Sequence, residues 1–327
     1  MGGSSWSSDL YADRVSSKAA KGVPTFAYDS DVKSGKAARK AHDKLNVHGV
    51  NRESRDSDAH PDSVAIGMFF DVTGSMGGVP RVLQQKLPKL MDTLLQKNYC
   101  KDPQILVGAV GDYYSDTTPL QAGQFESGIE IDEDLTRLFL EGGGGGTFEE
   151  SYQNALYFFA RHTSTDCWEK RGKKGFLFLI GDEKPYGYSS PEELLKVFGD
   201  KVQEKVSVQT LVKEVQEKYN LFFIIPGGTS YYNNPELKSC WEGLLDPEHV
   251  IMLKDPGLVC ETIGSIIGMF ENSLSLDVLA KDMVSGSTED ALVLRNALQP
   301  LTQSAALAKA GKGNLPATAK DDSTIRL

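Results

Sequence analysis

One stretch constrains this chain more than any other: Ser63-Val-Ala-Ile-Gly-Met-Phe-Phe-Asp-Val-Thr-Gly-Ser-Met76. Six of the seven residues from Val64 to Phe70 are apolar, and the run breaks abruptly at Asp71. A short apolar run rich in β-branched and aromatic residues reads as a strand buried on both faces, the kind found inside a parallel sheet. The turn after it carries hard oxygen donors at alternate positions, Asp71, Thr73 and Ser75. In open α/β sheets, ligands bind beyond the carboxyl ends of the strands. The turn therefore places donors suited to a small hard cation where a site is expected.

The rest of the chain supplies the remaining layers. Apolar residues at helical spacing over 79–97 predict a helix, with Pro88 expected to kink or restart it. Gln104 to Val110 predicts a second buried strand ending at Gly111-Asp112, Phe125 to Ile131 a short edge strand, and Asp132 to Leu140 a helical turn or two. Five glycines, Gly142 to Gly146, precede Thr147, and Thr147 with Glu150 reads as a capping box opening a helix over 148–162. Gly175 to Gly181 predicts a third buried strand, closed by Asp182-Glu183-Lys184-Pro185. Helices over 191–198 and 206–219, a strand at 221–225, a helix over 235–244, a strand at 249–253 and a helix over 258–270 continue the alternation. Strands alternating with helices predict an α/β fold, Rossmann-like, with a mostly parallel central sheet flanked by helices on both faces.

Three segments follow: a polar N-terminal arm over residues 1–60, an α/β domain over 61–273, and a helical extension with a disordered tail over 274–327. The arm is expected to be flexible, pinned by isolated apolar residues such as Tyr11, Val15, Phe26 and Tyr28. His42, His48 and His60 match no metal-ligand spacing and read as solvated loop residues. The net charge is −10, with +2 on residues 1–60 and −12 on the remainder, which argues against a nucleic-acid partner. No apolar run approaches the length of a membrane span, and the N-terminus has no secretory pattern. Cys100, Cys167, Cys240 and Cys260 form no Cys-x-x-Cys pair and read as free thiols in the reducing cytoplasm.

The motif Phe70-Asp-Val-Thr-Gly-Ser-Met76, together with Leu179-Ile-Gly-Asp182, resembles the von Willebrand factor type A (VWA) domains, of the intracellular, bacterial type. That family carries a metal-ion-dependent adhesion site (MIDAS) built on Asp-x-Ser-x-Ser after the first buried strand, completed by a Thr and an Asp from two further loops. The resemblance covers roughly residues 61–273 and departs from the pattern at Thr73, which stands for Ser, and in the glycine run before Thr147. It implies a metal set of Asp71, Thr73, Ser75, Thr147 and Asp182 for Mg²⁺, with Mn²⁺ as a substitute. One coordination position would be filled by a Glu or Asp of a partner protein. It further implies an adaptor-like binding role without catalysis, with an AAA+ ATPase of the MoxR type as a candidate partner. Asp112, at the end of the second strand, reads as a turn residue, with a place near the metal as the alternative. Glu149 and Glu150 stand close enough in sequence to Thr147 to orient the hydroxyls, although the capping box already claims Glu150.

The rival is an enzyme. Asp71-Val-Thr-Gly-Ser also resembles the nucleophile loop of haloacid dehalogenase-like phosphoryl-transfer enzymes, in which the Asp takes the phosphoryl group. That group needs a second Asp four residues after the Asp of its Gly-Asp loop, and Gly181-Asp182 is followed by Glu183-Lys184-Pro185-Tyr186. The glycine run lacks the Gly-Lys-Ser/Thr ending of a P-loop, and Ser75 lacks the glycine pattern of a nucleophile elbow.

Overall fold

The computed structural model describes residues 5–24, 26–143, 146–284 and 286–312. The central sheet has six strands: β1 (Ser63–Asp71), β2 (Asp102–Val110), β3 (Leu120–Ala122), β4 (Gly175–Ile180), β5 (Tyr219–Pro226) and β6 (Val250–Leu253). Their spatial order is 3-2-1-4-5-6, and every neighbouring pair is parallel except β2 and β3. This is the doubly wound order, whose switch point lies between β1 and β4, where connections diverge to opposite sides and open a crevice.

The helices are α1 (Ser8–Ala20), α2 (Ala27–Lys33), α3 (Val79–Gln96), α4 (Glu130–Arg137), α5 (Tyr152–Arg161), α6 (Asp166–Glu169), α7 (Pro191–Phe198), α8 (Val208–Lys218), α9 (Pro235–Leu244), α10 (Val259–Asn272), α11 (Leu276–Met283) and α12 (Thr288–Lys312). Because successive side chains of a strand point to opposite faces, β1 feeds two cores. Val64, Ile66, Met68 and Phe70 pack with residues of α3, α10 and α12, while Ala65 and Phe69 pack with α5, α7 and α8. No residue of β1 is exposed, which accounts for its unbroken apolar run.

Three local expectations change. The edge strand is Leu120–Ala122, paired antiparallel with Gly108–Val110, and the expected edge at 125–131 contributes a single bridge between Glu126 and Ile105. The α3 helix runs through residue 88 as one element, because Leu83, Leu90, Met91 and Leu94 bury one face on both sides of that position. His60 is buried beside Asp102 at 3.5 Å, where a solvated residue was expected.

The N-terminal segment lies against the body. Trp6 donates its indole N–H to Asp92 at 2.7 Å, Arg14 pairs with Asp132 at 2.8 Å, and Arg52–Ser54 forms a parallel pair with Thr163–Thr165. The α1 helix buries no residue, so its attachment is polar and leaves no hydrophobic periodicity to read. At the other end, α11 and α12 are the helices expected over 274–310, and the tail expected to be disordered lies outside the described residues beyond Lys312. Among the described residues, no helix is long and apolar enough to cross a membrane, and none of the four cysteines forms a disulfide.

Candidate metal centre

The crevice at the β1–β4 switch point gathers the predicted oxygens. Asp71 ends β1 fully buried. Its Oδ1 accepts the Thr73 backbone N–H at 2.7 Å and the Thr73 hydroxyl at 2.6 Å, while Oδ2 accepts the Tyr152 phenol at 3.1 Å. The Thr73 and Ser75 hydroxyls lie 3.1 Å apart. The turn is held from outside by the glycine loop: Gly142 N–H donates to Val72 O at 3.1 Å, and Gly74 N–H to Gly143 O at 2.7 Å.

Asp182 follows β4 and is fully buried. Its Oδ2 accepts the Tyr231 N–H at 3.1 Å, whereas Oδ1, also buried, has no hydrogen-bond partner among the described residues. The residue before it must be small: a Cβ at Gly181 would fall 1.8 Å from the Tyr152 hydroxyl, so the glycine lets that phenol reach Asp71.

Thr147 stands apart from this buried group. It is exposed, it shares the walls of a cleft of about 430 Å³ with Thr73, Ser75 and Glu183, and its hydroxyl donates to the Glu149 carbonyl at 3.3 Å. The expected capping box does not form. Helix α5 starts at Tyr152 with Ser151 as its N-cap and no side-chain cap bond. Glu149–Glu150 instead pairs, in parallel, with Lys184–Pro185, and the Glu150 carboxylate turns inward to accept the Ser151 N–H at 2.9 Å. Asp112 is a turn residue, accepting from Tyr114 N–H at 3.2 Å and from the Ser115 hydroxyl at 2.8 Å. It also reaches toward the site through the Ser151 hydroxyl at 3.3 Å.

Sequence reasoning passes over Glu183. One carboxylate oxygen each from Asp71, Asp182 and Glu183 lie within 4.8 Å of one another, and Glu183 is only 7% exposed. Its position directly after Asp182 was the available signal, but the pairing of residues 149–150 with 184–185, which fixes it, is a tertiary event. Burial pushes Asp71 up from its ordinary value, with Asp182 adding to the rise against the Thr73 bonds. Burial likewise raises Asp182, and it raises Glu150, to which Asp71 adds. Burial and then Asp71, Asp182 and Asp112 push Glu183 up to about 9. No Lys or Arg pairs with Asp71, Glu150, Asp182 or Glu183 among the described residues; the nearby Lys184 pairs outward with Glu236 at 2.6 Å. Buried carboxylates without a counter-charge must bind protons or a cation. The donor set, carboxylate and hydroxyl oxygens with one orphaned buried carboxylate oxygen, fits a hard divalent ion.

No protein-family model and no curated protein matches this chain. Among solved structures it is similar to the pilus adhesin SpaC from Lactobacillus rhamnosus GG, at 8% identity and a TM-score of 0.45, covering 67% of this chain and 31% of that one. It is also similar to proximal thread matrix protein 1 from the mussel byssus, at 13% identity and a TM-score of 0.41, covering 69% and 47%. Another structure of that protein, described as having a zinc-occupied MIDAS motif, gives 13% identity, a TM-score of 0.37 and coverage of 68% and 47%. This chain thus spans about a third to a half of the length of those structures. None of these scores reaches 0.5, and the reading of the site rests on its own geometry.

Proposed function

We propose that this chain is a metal-dependent protein-binding module that docks an acidic residue of a partner at a divalent cation. Mg²⁺ is the expected ion, with Mn²⁺ as a substitute. Asp71, Thr73, Ser75 and Asp182 hold it, and Thr147 joins from the rim of the cleft. The observation that carries the reading is the fully buried Asp182, whose Oδ1 has no hydrogen-bond partner among the described residues, beside two more carboxylates that no described Lys or Arg neutralises. The family resemblance supplies the rest of the proposal: an adaptor role in the cytoplasm without catalysis, and a AAA+ ATPase of the MoxR type as a candidate partner.

Calorimetry with Mn²⁺ tests the centre. Asp71→Ala should abolish binding while the circular dichroism spectrum stays that of the folded protein, because hydroxyl dipoles alone cannot replace the hydration shell of the ion. Thr73→Ser should bind and Thr73→Val should bind more weakly; unchanged affinity in Asp71→Ala would sink the reading. A partner recovered by pull-down should be released by EDTA. The phosphoryl-transfer alternative gains no support from the site. Both Asp71 oxygens are engaged by Thr73 and Tyr152, and among the described residues no lysine pairs with Asp71 to balance a phosphate. Phosphate release from ATP or a generic phosphate ester, lost in Asp71→Asn, would reverse that judgement.

A further inference from the structure

We infer that Glu183 is an internal cap on the metal: its carboxylate takes the coordination position that a partner's carboxylate needs, so that docking requires its displacement. The inference rests on the reading of the site as a metal centre and extends it to how that centre is regulated.

Three observations carry it. The Glu183 carboxylate brings an oxygen within 4.8 Å of oxygens of both Asp71 and Asp182, the range in which three ligands share one ion. The side chain is buried in the wall of the cleft that Thr73, Ser75 and Thr147 also line, and its carboxylate has no hydrogen bond or ion pair among the described residues. Its neighbour Asp182, which belongs to the same group, has a buried oxygen without a hydrogen-bond partner among the described residues. A buried carboxylate oxygen without a partner, beside a second carboxylate in the cleft wall, is what a cation between them explains, since burying such charge unpaired is costly.

The backbone around Glu183 is fixed. Its carbonyl accepts the indole N–H of the fully buried Trp241 at 3.0 Å, and the next two residues pair with Glu149–Glu150. Only the side-chain rotamers of Glu183 are therefore free to move. A carboxylate on a pinned backbone, directly beside a metal ligand, engages or leaves the ion by rotation about its own bonds. While it is engaged, an external carboxylate meets both an occupied position and a like charge. The apparent affinity of the partner is then reduced by the fraction of molecules in which the cap is open.

The test uses the full chain with Mn²⁺ as the probe and acetate as the external carboxylate. Mn²⁺ affinity is read by calorimetry, and the number of waters on the bound ion by solvent-proton relaxation. In Glu183→Gln, Mn²⁺ should bind roughly tenfold or more weakly, since ligand charge sets affinity. The ion should carry one more water, and acetate should bind roughly tenfold or more tightly to the loaded protein once it no longer competes with the cap. Glu183→Asp, which keeps the charge but shortens the reach, should gain the water while losing less affinity for the ion, and it serves if the Gln variant is misfolded. Unchanged Mn²⁺ affinity and hydration in both variants, with binding still abolished by Asp71→Ala, would overturn the cap and leave the metal centre standing. A wild-type chain that binds no Mn²⁺ would overturn both.

Discussion

Asp71 is buried because the strand delivering it is buried, and each of its oxygens is met by a donor. Thr73 supplies two of those donors from the same turn, and Tyr152 supplies the third from the start of α5. The Tyr152 ring is held edge-on between Phe223 and Trp241, with centroids at 5.4 and 5.5 Å, so the phenol is positioned by packing. Tyr152→Phe should therefore keep the fold and lose only the bond to Asp71. A partner that orients a metal ligand typically changes affinity by about 10- to 100-fold, and Mn²⁺ calorimetry on this variant should show a loss in that range. A loss of binding accompanied by a collapsed thermal transition would show instead that the phenol is needed for packing. The Asp71–Thr73–Ser75 part of the site was legible in the sequence because its geometry is local: alternate residues of one turn face the same way. Tyr152 was not legible, since nothing in its own helix marks which strand end its hydroxyl reaches.

Among the elements, the N-terminal segment differs most from its sequence reading. Its contacts are long-range: Phe26, Leu45 and Val47 are buried in the two cores, and polar contacts join them. Asp29 of α2 accepts the Leu140 N–H at 3.1 Å, and Arg39 pairs at 3.1 Å with Glu141, at the foot of the glycine loop. The 52–54 strand is secured next to α6, where Arg55 reaches Asp166 at 2.9 Å and Asp56 pairs with Arg171 at 2.6 Å. Burial alone lifts Asp166, but Lys170, the Asp56 N–H and Arg55 outweigh it and hold the carboxyl at about 2. The folded value thus lies below the unfolded one, near 3.9. The stabilisation is present above about pH 4 and is lost as the pH falls through the folded value, a window of roughly pH 4 to 2. Its size is at most about 2 kcal/mol, because both cationic partners are partly exposed. Urea denaturation of Asp166→Asn should show a lower midpoint than wild type at pH 6, with the gap closing as the pH approaches 2. A gap independent of pH would mean that Asp166 acts through neutral hydrogen bonds alone. Hydrophobic periodicity cannot reveal how α1 is attached, because that helix buries no residue, and the buried Phe26, Leu45 and Val47 are too scattered to form a period.

At the scale of the whole molecule, the doubly wound sheet and the charge distribution act together. The order 3-2-1-4-5-6 brings the ends of β1 and β4 side by side, which concentrates buried carboxylates at one point of a chain whose net charge is −10. A bound divalent ion relieves that repulsion in the folded state only, so it stabilises folding by mass action, by about 2.7 kcal/mol at a hundredfold excess over its Kd. Millimolar Mn²⁺ or Mg²⁺ should raise the melting temperature by several degrees, reversibly with EDTA. The same ionic strength of NaCl should not, and neither should either ion with Asp71→Ala. An equal rise in that variant would place the stabilising ion elsewhere.

What the sequence determined by itself is what short-range physics encodes. The apolar run of β1 required burial on both faces, the alternation of strands and helices required a mostly parallel sheet with two covered faces, and the Asp-x-Thr-x-Ser turn placed three oxygens at a strand end. What only the tertiary structure decided is which distant groups meet there. The two-residue pairing of Glu149–Glu150 with Lys184–Pro185 spans 35 residues of chain and has no periodicity of its own. Yet it undoes the helix cap expected at Thr147, leaves Thr147 on the rim, and holds Glu150 and Glu183 inward against Asp71 and Asp182. Residue spacing records the local conformation of a turn; the approach of carboxylates from separate loops is set by how the two layers of helices close over the sheet.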